Sequence, residues 1–226
     1  MRLRAVLFDY GGTLDGAGSH WLDRFLDLYR EAGVPLSFEQ FRGAFDHATR
    51  CGYADPDAAQ FSLQALIEFH VARQMDRLGI ADGVLAARVV TAFVHESRQA
   101  LDESRAVLER LHRRVVLGVV SNFYGNVDRV LDEAHMTPLF SAIIDSNRVG
   151  LSKPAPEIFA LAVQRIGCAP SEALYVGDSF EKDVLGARAA GLRTAWLIGE
   201  HERPCPSPAL VDAQLRRLAD IEALLE

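Results

Sequence analysis

Residues 6–13 read VLFDYGGT, an apolar run that ends at Asp9 and is followed by the glycine pair Gly11-Gly12. A short, continuous apolar run of this kind is typical of a strand that is buried on both faces, as in a parallel sheet. The glycine pair directly after it predicts a tight turn. The stretch therefore predicts the first strand of a parallel sheet, with a carboxylate at its carboxyl end.

Four further apolar runs of the same character follow along the chain, at residues 115–120, 142–144, 173–176 and 194–198. Segments with helical periodicity lie between or after them, at residues 127–134, 157–166, 182–190 and 214–225. Strands that alternate with helices in this order are typical of a doubly wound α/β fold around a parallel sheet.

Residues 16–99 interrupt this alternation, because they have helical periodicity throughout, apart from a loop near residues 53–57. Such a stretch after the first strand predicts a helical insertion with a small core of its own. We therefore expect a core formed by residues 1–15 and 100–226, and an all-helical cap formed by residues 16–99.

The composition limits the expected partners and surroundings. The chain has 226 residues, 49% of them hydrophobic, and a net charge of −7 with no block of Lys or Arg, so nucleic acid and anionic membranes are not expected partners. No apolar run reaches the roughly 18 residues of a membrane span. The three cysteines are far apart and form no CxxC pair, so we expect a cytoplasmic protein. A homodimer is the commonest assembly and is expected here.

Polar side chains follow several of the predicted strands. Asp9, the pair Ser121-Asn122, and Asp178 come directly after apolar runs, and Lys153 lies in the loop that follows the third run. In an open α/β sheet, ligands bind beyond the carboxyl ends of the strands. We therefore expect these groups, although distant in sequence, to form one site.

The residue types in this site suit phosphoryl transfer. A carboxylate such as Asp9 can attack phosphorus and form an acyl phosphate. Mg²⁺ held by Asp9 and Asp178, with Asp183 close by, would offset the repulsion between carboxylate and phosphate. Lys153 supplies a further positive charge. The Ser121 hydroxyl and the backbone of the next residue can donate hydrogen bonds to phosphate oxygens.

Four short motifs in this order and spacing resemble those of the haloacid dehalogenase superfamily, in the subgroup with a helical cap after the first strand. The motifs are DYGGT at residues 9–13, Ser121, Lys153-Pro154, and GDSFEKD at residues 177–183. The resemblance implies a Rossmann-like core and a Mg²⁺-dependent hydrolase, most simply a phosphatase of a small phosphorylated metabolite.

The resemblance also assigns roles to residues. It implies Asp9, Ser121 and Lys153 as catalytic residues, with an aspartyl phosphate formed on Asp9. The implied phosphate-binding residues are Gly12, Thr13, Ser121, Asn122 and Lys153. The implied metal ligands are Asp9, the backbone carbonyl of Gly11, Asp178 and Asp183.

The first motif departs from the family pattern at Gly11. Phosphatases of the family carry a second aspartate there, which protonates the leaving group and later activates water, a contribution of about 10²- to 10⁴-fold. Its loss predicts a preference for substrates with good leaving groups, such as acyl or aryl phosphates. Asp15 or His20 could replace the missing group. Tyr10 and His20 adjoin the motif loop, and we expect both to face the cleft.

Three alternative functions are consistent with a glycine at position 11. The chain could be a non-catalytic or weakly active protein that binds a phosphorylated ligand on this scaffold. It could be a haloacid dehalogenase, although those enzymes need no metal and lack the acidic GDSFEKD-type pattern. Phosphonoacetaldehyde hydrolases also lack the second aspartate, but they use a cap lysine for a Schiff base. The lysines of this chain are Lys153 and Lys182, and neither lies in the predicted cap.

Overall fold

The computed structural model describes residues 2–200 and 203–225. The first and last residues of the predicted core, Met1 and Glu226, and two residues of its final loop, His201 and Glu202, lie outside this part of the chain. Six strands form one parallel sheet in the order β3-β2-β1-β4-β5-β6. The strands are β1 (Ala5–Phe8), β2 (Val116–Ser121), β3 (Ala142–Asp145), β4 (Ala173–Gly177), β5 (Arg193–Leu197) and β6 (Ala213–Leu215).

Strand β1 lies inside the sheet and pairs with β2 on one side and β4 on the other. All four of its side chains are fully buried, because alternate residues enter the apolar layers on the two faces of the sheet. This explains why the strand is apolar at every position. The five predicted strands and the α/β fold class are confirmed.

Eight α-helices accompany the sheet in the described residues. They are α1 (Trp21–Glu31), α2 (Phe38–Ala54), α3 (Leu63–Leu78), α4 (Gly83–Leu111), α5 (Val127–Glu133), α6 (Ser146–Val149), α7 (Pro156–Ile166) and α8 (Leu185–Ala189). The first three lie within the predicted cap. Helix α4 runs without a break through the expected boundary at residues 99 and 100. The division into core and cap at these residues stays a prediction. No helix of the described chain is both long enough and apolar enough to cross a membrane.

Local sequence signals define the cap helices. Ser37 and Gln40 form a reciprocal capping box at the start of α2. Ser62 caps α3, and Gly79 ends that helix in the left-handed conformation, with φ of 69°. Asp82 then accepts hydrogen bonds from two backbone N–H groups at the start of α4. These caps fix where α2, α3 and α4 begin and where α3 ends.

The predicted helix over residues 214–225 is wrong at its beginning. Residues 213–215 form β6, which pairs with β5, and the chain then forms 3₁₀ turns over Leu218–Leu225. Pairing satisfies backbone groups that the edge of β5 would otherwise leave unpaired, and this tertiary gain outweighs the local helical pattern. The Asp220 carboxylate accepts hydrogen bonds from the backbone N–H groups of Arg216 and Arg217, which fixes the start of the turns.

Candidate active site

Asp9 follows β1 directly, at the point in the sheet where the strand order continues through β2 and β3 on one side and through β4, β5 and β6 on the other. Its backbone N–H donates to the carbonyl of Val176, which continues the strand ladder. Its Oδ1 accepts hydrogen bonds from the Tyr10 backbone N–H at 2.7 Å and from Ser121 Oγ at 2.8 Å, and lies 2.8 Å from Lys153 Nζ. Oδ2 accepts no hydrogen bond from the described residues. The carboxylate is therefore fixed through one oxygen and free at the other.

Lys153 connects two of the carboxylates. Its Nζ lies 2.8 Å from Asp9 Oδ1 and 2.6 Å from Asp183 Oδ1, and it donates to the Tyr175 hydroxyl at 3.1 Å. Burial alone would lower the pKa of this ammonium group, but the nearby Asp183 and Asp9 raise it above its ordinary value. Lys153 is therefore a fixed positive charge, and it is not available as a base near neutral pH.

The Lys153 loop is attached to the end of β2. The Asn122 side chain accepts a hydrogen bond from the Lys153 backbone N–H at 2.8 Å and donates one to its carbonyl at 3.0 Å. The two residues are 31 positions apart, and this reciprocal pair joins the loop after α6 to the end of β2. Asn122 thus positions the lysine, in addition to its predicted place beside the phosphate.

Asp178 and Asp183 follow β4 and complete the acidic cluster. Thr13 Oγ1 donates to Asp178 Oδ1 at 3.2 Å, whereas Asp178 Oδ2 is buried and has no hydrogen-bond partner in the described chain. Asp183 Oδ2 accepts from the Ser179 backbone N–H at 2.9 Å. Burial, then the charges of Asp183 and Asp9, raise the pKa of Asp178 well above its usual range.

Gly12 permits the close approach of the first loop to Asp178. Its φ is 85°, a conformation that side chains other than glycine rarely adopt, and a Cβ there would lie 2.6 Å from Asp178 Oδ2. Gly12 and Thr13 therefore both lie against the Asp178 carboxylate. Neither of them lines the cavity next to the acidic cluster.

The cluster has the properties of a divalent-cation site. One oxygen from each of Asp9, Asp178 and Asp183 lies within 4.8 Å of the others. When all three carboxylates are ionised, Lys153 neutralises one of them, and two negative charges remain in a buried volume. Such a charge is costly unless a cation compensates it. Asp178 Oδ2 has no hydrogen-bond partner among the described residues, so it is available to bind a cation. Because all three candidate ligand atoms are carboxylate oxygens, they favour a hard cation.

A cavity of about 240 Å³ adjoins this cluster, between the carboxyl ends of the strands and helices α1 and α2. Asp9, Gly11, Ser121, Lys153 and Asp178 line one side of it. Residues at the start of α1 and along α2 line the other side: His20, Trp21, Phe45, Thr49 and Tyr53. Larger depressions exist elsewhere, such as one of about 680 Å³ at the opposite edge of the sheet, but it is lined by Arg side chains without an acidic cluster.

Two expectations about the first loop change in the structure. Tyr10 does not face the cleft: it is fully buried and packs edge-on against Phe123 with ring centres 5.0 Å apart. Asp15 is also fully buried and accepts hydrogen bonds from the Gly12 backbone and from Trp21 Nε1, each at 2.7 Å. Both side chains point into the protein, so Asp15 holds the loop and does not line the cavity. His20 lines it, as expected.

Several lining residues were not predicted. Phe45, Thr49 and Tyr53 are four residues apart in turn, so they form one stripe along α2 that faces the cavity. The spacing is visible in the sequence, but the face that meets the site is set by tertiary packing. Tyr175 was also not predicted. Its hydroxyl donates a hydrogen bond to the Val120 carbonyl at 2.7 Å and accepts one from Lys153 Nζ at 3.1 Å.

Comparisons with known proteins agree with this architecture. The family model described as haloacid dehalogenase-like hydrolase matches residues 3–191. Phosphoserine phosphatase from Thermus thermophilus is 37% identical over 145 residues, which span 62% of this chain and 58% of that protein. The chain thus matches somewhat more than half the length of that relative.

Solved structures show the same fold. The HAD-hydrolase YfnB from Bacillus subtilis, bound to magnesium, aligns over 100% of both chains with a TM-score of 0.62 and 23% identity. The 2-haloacid dehalogenase from Pseudomonas syringae pv. Tomato DC3000 aligns over 99% of this chain and 98% of its own, with a TM-score of 0.58 and 24% identity. At these identities the likeness concerns the fold alone.

Proposed function

The chain belongs to the haloacid dehalogenase-like hydrolase family, and on this premise we propose that it is a Mg²⁺-dependent phosphatase of a small phosphorylated metabolite. The observation that carries the proposal is the state of Asp9. Three donors hold Oδ1, while Oδ2 is free in a side chain that lines the cavity. This is the arrangement that an attacking carboxylate needs.

Asp9, Asp178 and the backbone carbonyl of Gly11 would hold Mg²⁺, with Asp183 as a direct or indirect ligand. When bound, the ion offsets the negative charge of the phosphate and of the cluster. The likeness to phosphoserine phosphatase supports hydrolysis of a phosphorylated substrate, and the acidic cluster supports a divalent cation.

In the first half-reaction Asp9 Oδ2 forms a bond to phosphorus, and the bond between phosphorus and the leaving-group oxygen breaks. Ser121 Oγ and Lys153 Nζ, which already hold Oδ1, keep the carboxylate in line. The product is an acyl phosphate on Asp9. In the second half-reaction water attacks phosphorus, the Asp9 Oδ2–phosphorus bond breaks, and inorganic phosphate leaves.

The acidic cluster favours a phosphatase over a haloacid dehalogenase. A metal-independent attack on a haloacid would bring a further carboxylate towards three carboxylates and one ammonium group. Lys182 also lines the cavity, but among the described residues only Lys153 forms ion pairs with these carboxylates. A divalent cation would offset the charge that remains.

The proposal is tested by phosphate release from an aryl and an alkyl phosphate, with and without Mg²⁺, for the wild type and for Asp9→Asn. We expect metal-dependent turnover that disappears in the variant, and faster turnover of the aryl ester because Gly11 offers the leaving group no proton. Equal rates for the two esters would contradict the leaving-group argument.

A second candidate, a weakly active protein that binds a phosphorylated ligand, is favoured by one observation. Among the residues that line the cavity, the carboxylates are Asp9 and Asp178, and the proposed function assigns the first to attack on phosphorus and the second to the metal. Mg²⁺ binding and phosphate-ligand binding without turnover of any ester above the Asp9→Asn background would select this candidate.

A further inference from the structure

We infer that His20 donates a hydrogen bond to the leaving-group oxygen in the place of the missing acid at Gly11, but that it cannot activate water, so that the phosphorylated form of Asp9 accumulates. The inference rests on the proposed function. A hydrogen-bond donor from the predicted cap assists the first half-reaction, and no side chain assists the second.

His20 reaches the site from the cap side. It precedes α1 and lines the cavity together with Asp9 and Gly11. Its ring packs edge-on against Phe45 with ring centres 5.9 Å apart, which fixes its plane. The described cavity lining contains no other imidazole.

The hydrogen bond at Nδ1 determines the tautomer. Nδ1 accepts from the Leu22 backbone N–H at 3.2 Å, so His20 is the N-cap of α1. In a neutral imidazole, one nitrogen accepts and the other carries the proton. The proton is therefore assigned to Nε2, which has no hydrogen-bond acceptor among the described residues and is left as a donor.

The ring is neutral near pH 7. Burial, followed by the charge of Lys182, lowers the pKa of His20 to about 4. A neutral imidazole can still stabilise developing negative charge through its N–H group, as an imidazole at a helix N-terminus does in triosephosphate isomerase. His20 is thus a hydrogen-bond donor and not a proton donor.

The same geometry prevents His20 from acting as a base. Nε2 already carries its proton, and the lone pair of Nδ1 is used by the Leu22 N–H. Asp9 is phosphorylated at this stage, and Asp178 lies within the cation cluster. The attacking water therefore has no base in the described cavity lining, and its proton must pass to phosphate or to bulk water.

The two half-reactions are consequently affected differently. When Asp9 Oδ2 bonds to phosphorus, the departing oxygen gains negative charge, accepts the Nε2–H hydrogen bond, and takes its proton from solvent afterwards. Hydrolysis of the acyl phosphate receives no comparable help. Release of the first product should therefore show a burst of one equivalent per active site, followed by a slower steady rate.

The experiment is rapid-mixing measurement of phenolate release from 4-nitrophenyl phosphate with saturating Mg²⁺. The matched variants are His20→Asn and His20→Gln. Asparagine is a strong N-cap and preserves the start of α1, but its amide is shorter and does not reach the position of Nε2. Glutamine places an amide N–H near that position but is a poor N-cap.

We expect a burst in the wild type, and a burst rate constant about 10²-fold lower in His20→Asn, the effect of losing one transition-state donor. His20→Gln should retain most of the burst rate. The loss in His20→Asn should be larger for phenyl phosphate than for the nitrophenyl ester, because the poorer leaving group carries more charge. A role limited to capping would give the reverse order of the two variants and no dependence on the leaving group.

Turnover without a burst in the wild type, or an unchanged burst rate constant in His20→Asn, would overturn this inference while leaving Asp9 catalysis intact. Absence of both phenolate release and phosphorylation in the wild type would instead overturn the proposed function. Circular dichroism of both variants verifies that α1 and the rest of the fold are retained.

Discussion

Gly11 is the position at which the first motif is predicted to depart from the family pattern, and the structure shows what lies next to its Cα. A Cβ at Gly11 would lie 3.6 Å from Trp21 Nε1, an ordinary contact. The indole in turn donates to Asp15 Oδ2 at 2.7 Å. The backbone therefore accepts a Cβ at this position, and the Trp21 indole is the nearest neighbour of any side chain built there.

Replacing Gly11 by Asp should restore an acid/base group beside Asp9. We expect steady-state turnover of an aryl phosphate to rise by about 10²-fold and the initial burst to disappear, because water would regain a base. Gly11→Ala is the matched control, since it adds the Cβ without the carboxyl group. If Gly11→Asp is no faster than Gly11→Ala, acid/base chemistry at this position does not limit the reaction.

Most of the cluster around Asp9 could be predicted from the sequence, whereas the surroundings of Asp15 could not. Asp9, Ser121, Lys153 and Asp178 were predictable because each ends a strand or follows one, and parallel strands bring their ends to one edge. The inward direction of Asp15 could not be predicted. It depends on Trp21, whose position is fixed only when the cap packs on the core.

At the scale of elements, the turn after β1 determines the geometry of the acidic cluster. Gly12 has φ of 85°, and its Cα approaches the Asp178 carboxylate so closely that a Cβ would lie 2.6 Å from Oδ2. Gly79, at the end of α3, has a similar φ of 69° but nothing within 4 Å of its Cβ position. Comparing alanine substitutions at the two glycines therefore distinguishes the effect of backbone strain from the effect of displacing Asp178.

Gly12→Ala and Gly79→Ala should both lower the free energy of unfolding by about 1–2 kcal/mol, because alanine is strained in the left-handed conformation. Gly12→Ala alone should also weaken Mg²⁺ binding, since its methyl group displaces a proposed ligand. Denaturant unfolding and titration calorimetry measure the two effects. Equal Mg²⁺ affinities in the two variants would show that Asp178 is not a ligand.

Among the elements, the buried strands were predictable and the carboxyl-terminal segment was not. Strands β1, β2, β4 and β5 are apolar because the sheet is covered on both faces. Strand β6 has three residues and exists only because the edge of β5 is available for pairing. A local pattern contains no signal for such a strand.

At the scale of the whole molecule, a buried hydrogen bond joins the helical insertion to the core. His70 of α3 lies 2.8 Å from the Tyr124 hydroxyl, which follows β2, and its ring stacks on Phe25 of α1 with centres 6.1 Å apart. His70 is fully buried, and this burial lowers its pKa to about 3. The folded protein thus holds the ring in its neutral form.

Stability should depend on pH through His70. An unfolded histidine binds a proton below about pH 6.5, whereas the folded protein does not until about pH 3. The unfolded state therefore binds more protons between these values, and the free energy of unfolding falls as the pH decreases through them, by about 1.4 kcal/mol per pH unit well below pH 6.5.

Denaturant unfolding between pH 7 and pH 5 measures this slope. His70→Gln should flatten it by that amount, although the variant is less stable overall. His95→Gln serves as the control, because His95 is exposed on α4. An unchanged slope in His70→Gln would mean that the ring is not held neutral in the folded protein.

The proposed mechanism requires a phosphoryl group on Asp9, and locating that group tests the requirement. The protein is mixed with an aryl phosphate and Mg²⁺, quenched in acid at the end of the burst, and examined by intact-protein and peptide mass spectrometry. We expect one phosphoryl group per chain, on Asp9, and none in Asp9→Asn. A phosphoryl group on any other residue, or phosphate release that persists in Asp9→Asn, would show that Asp9 is not the nucleophile.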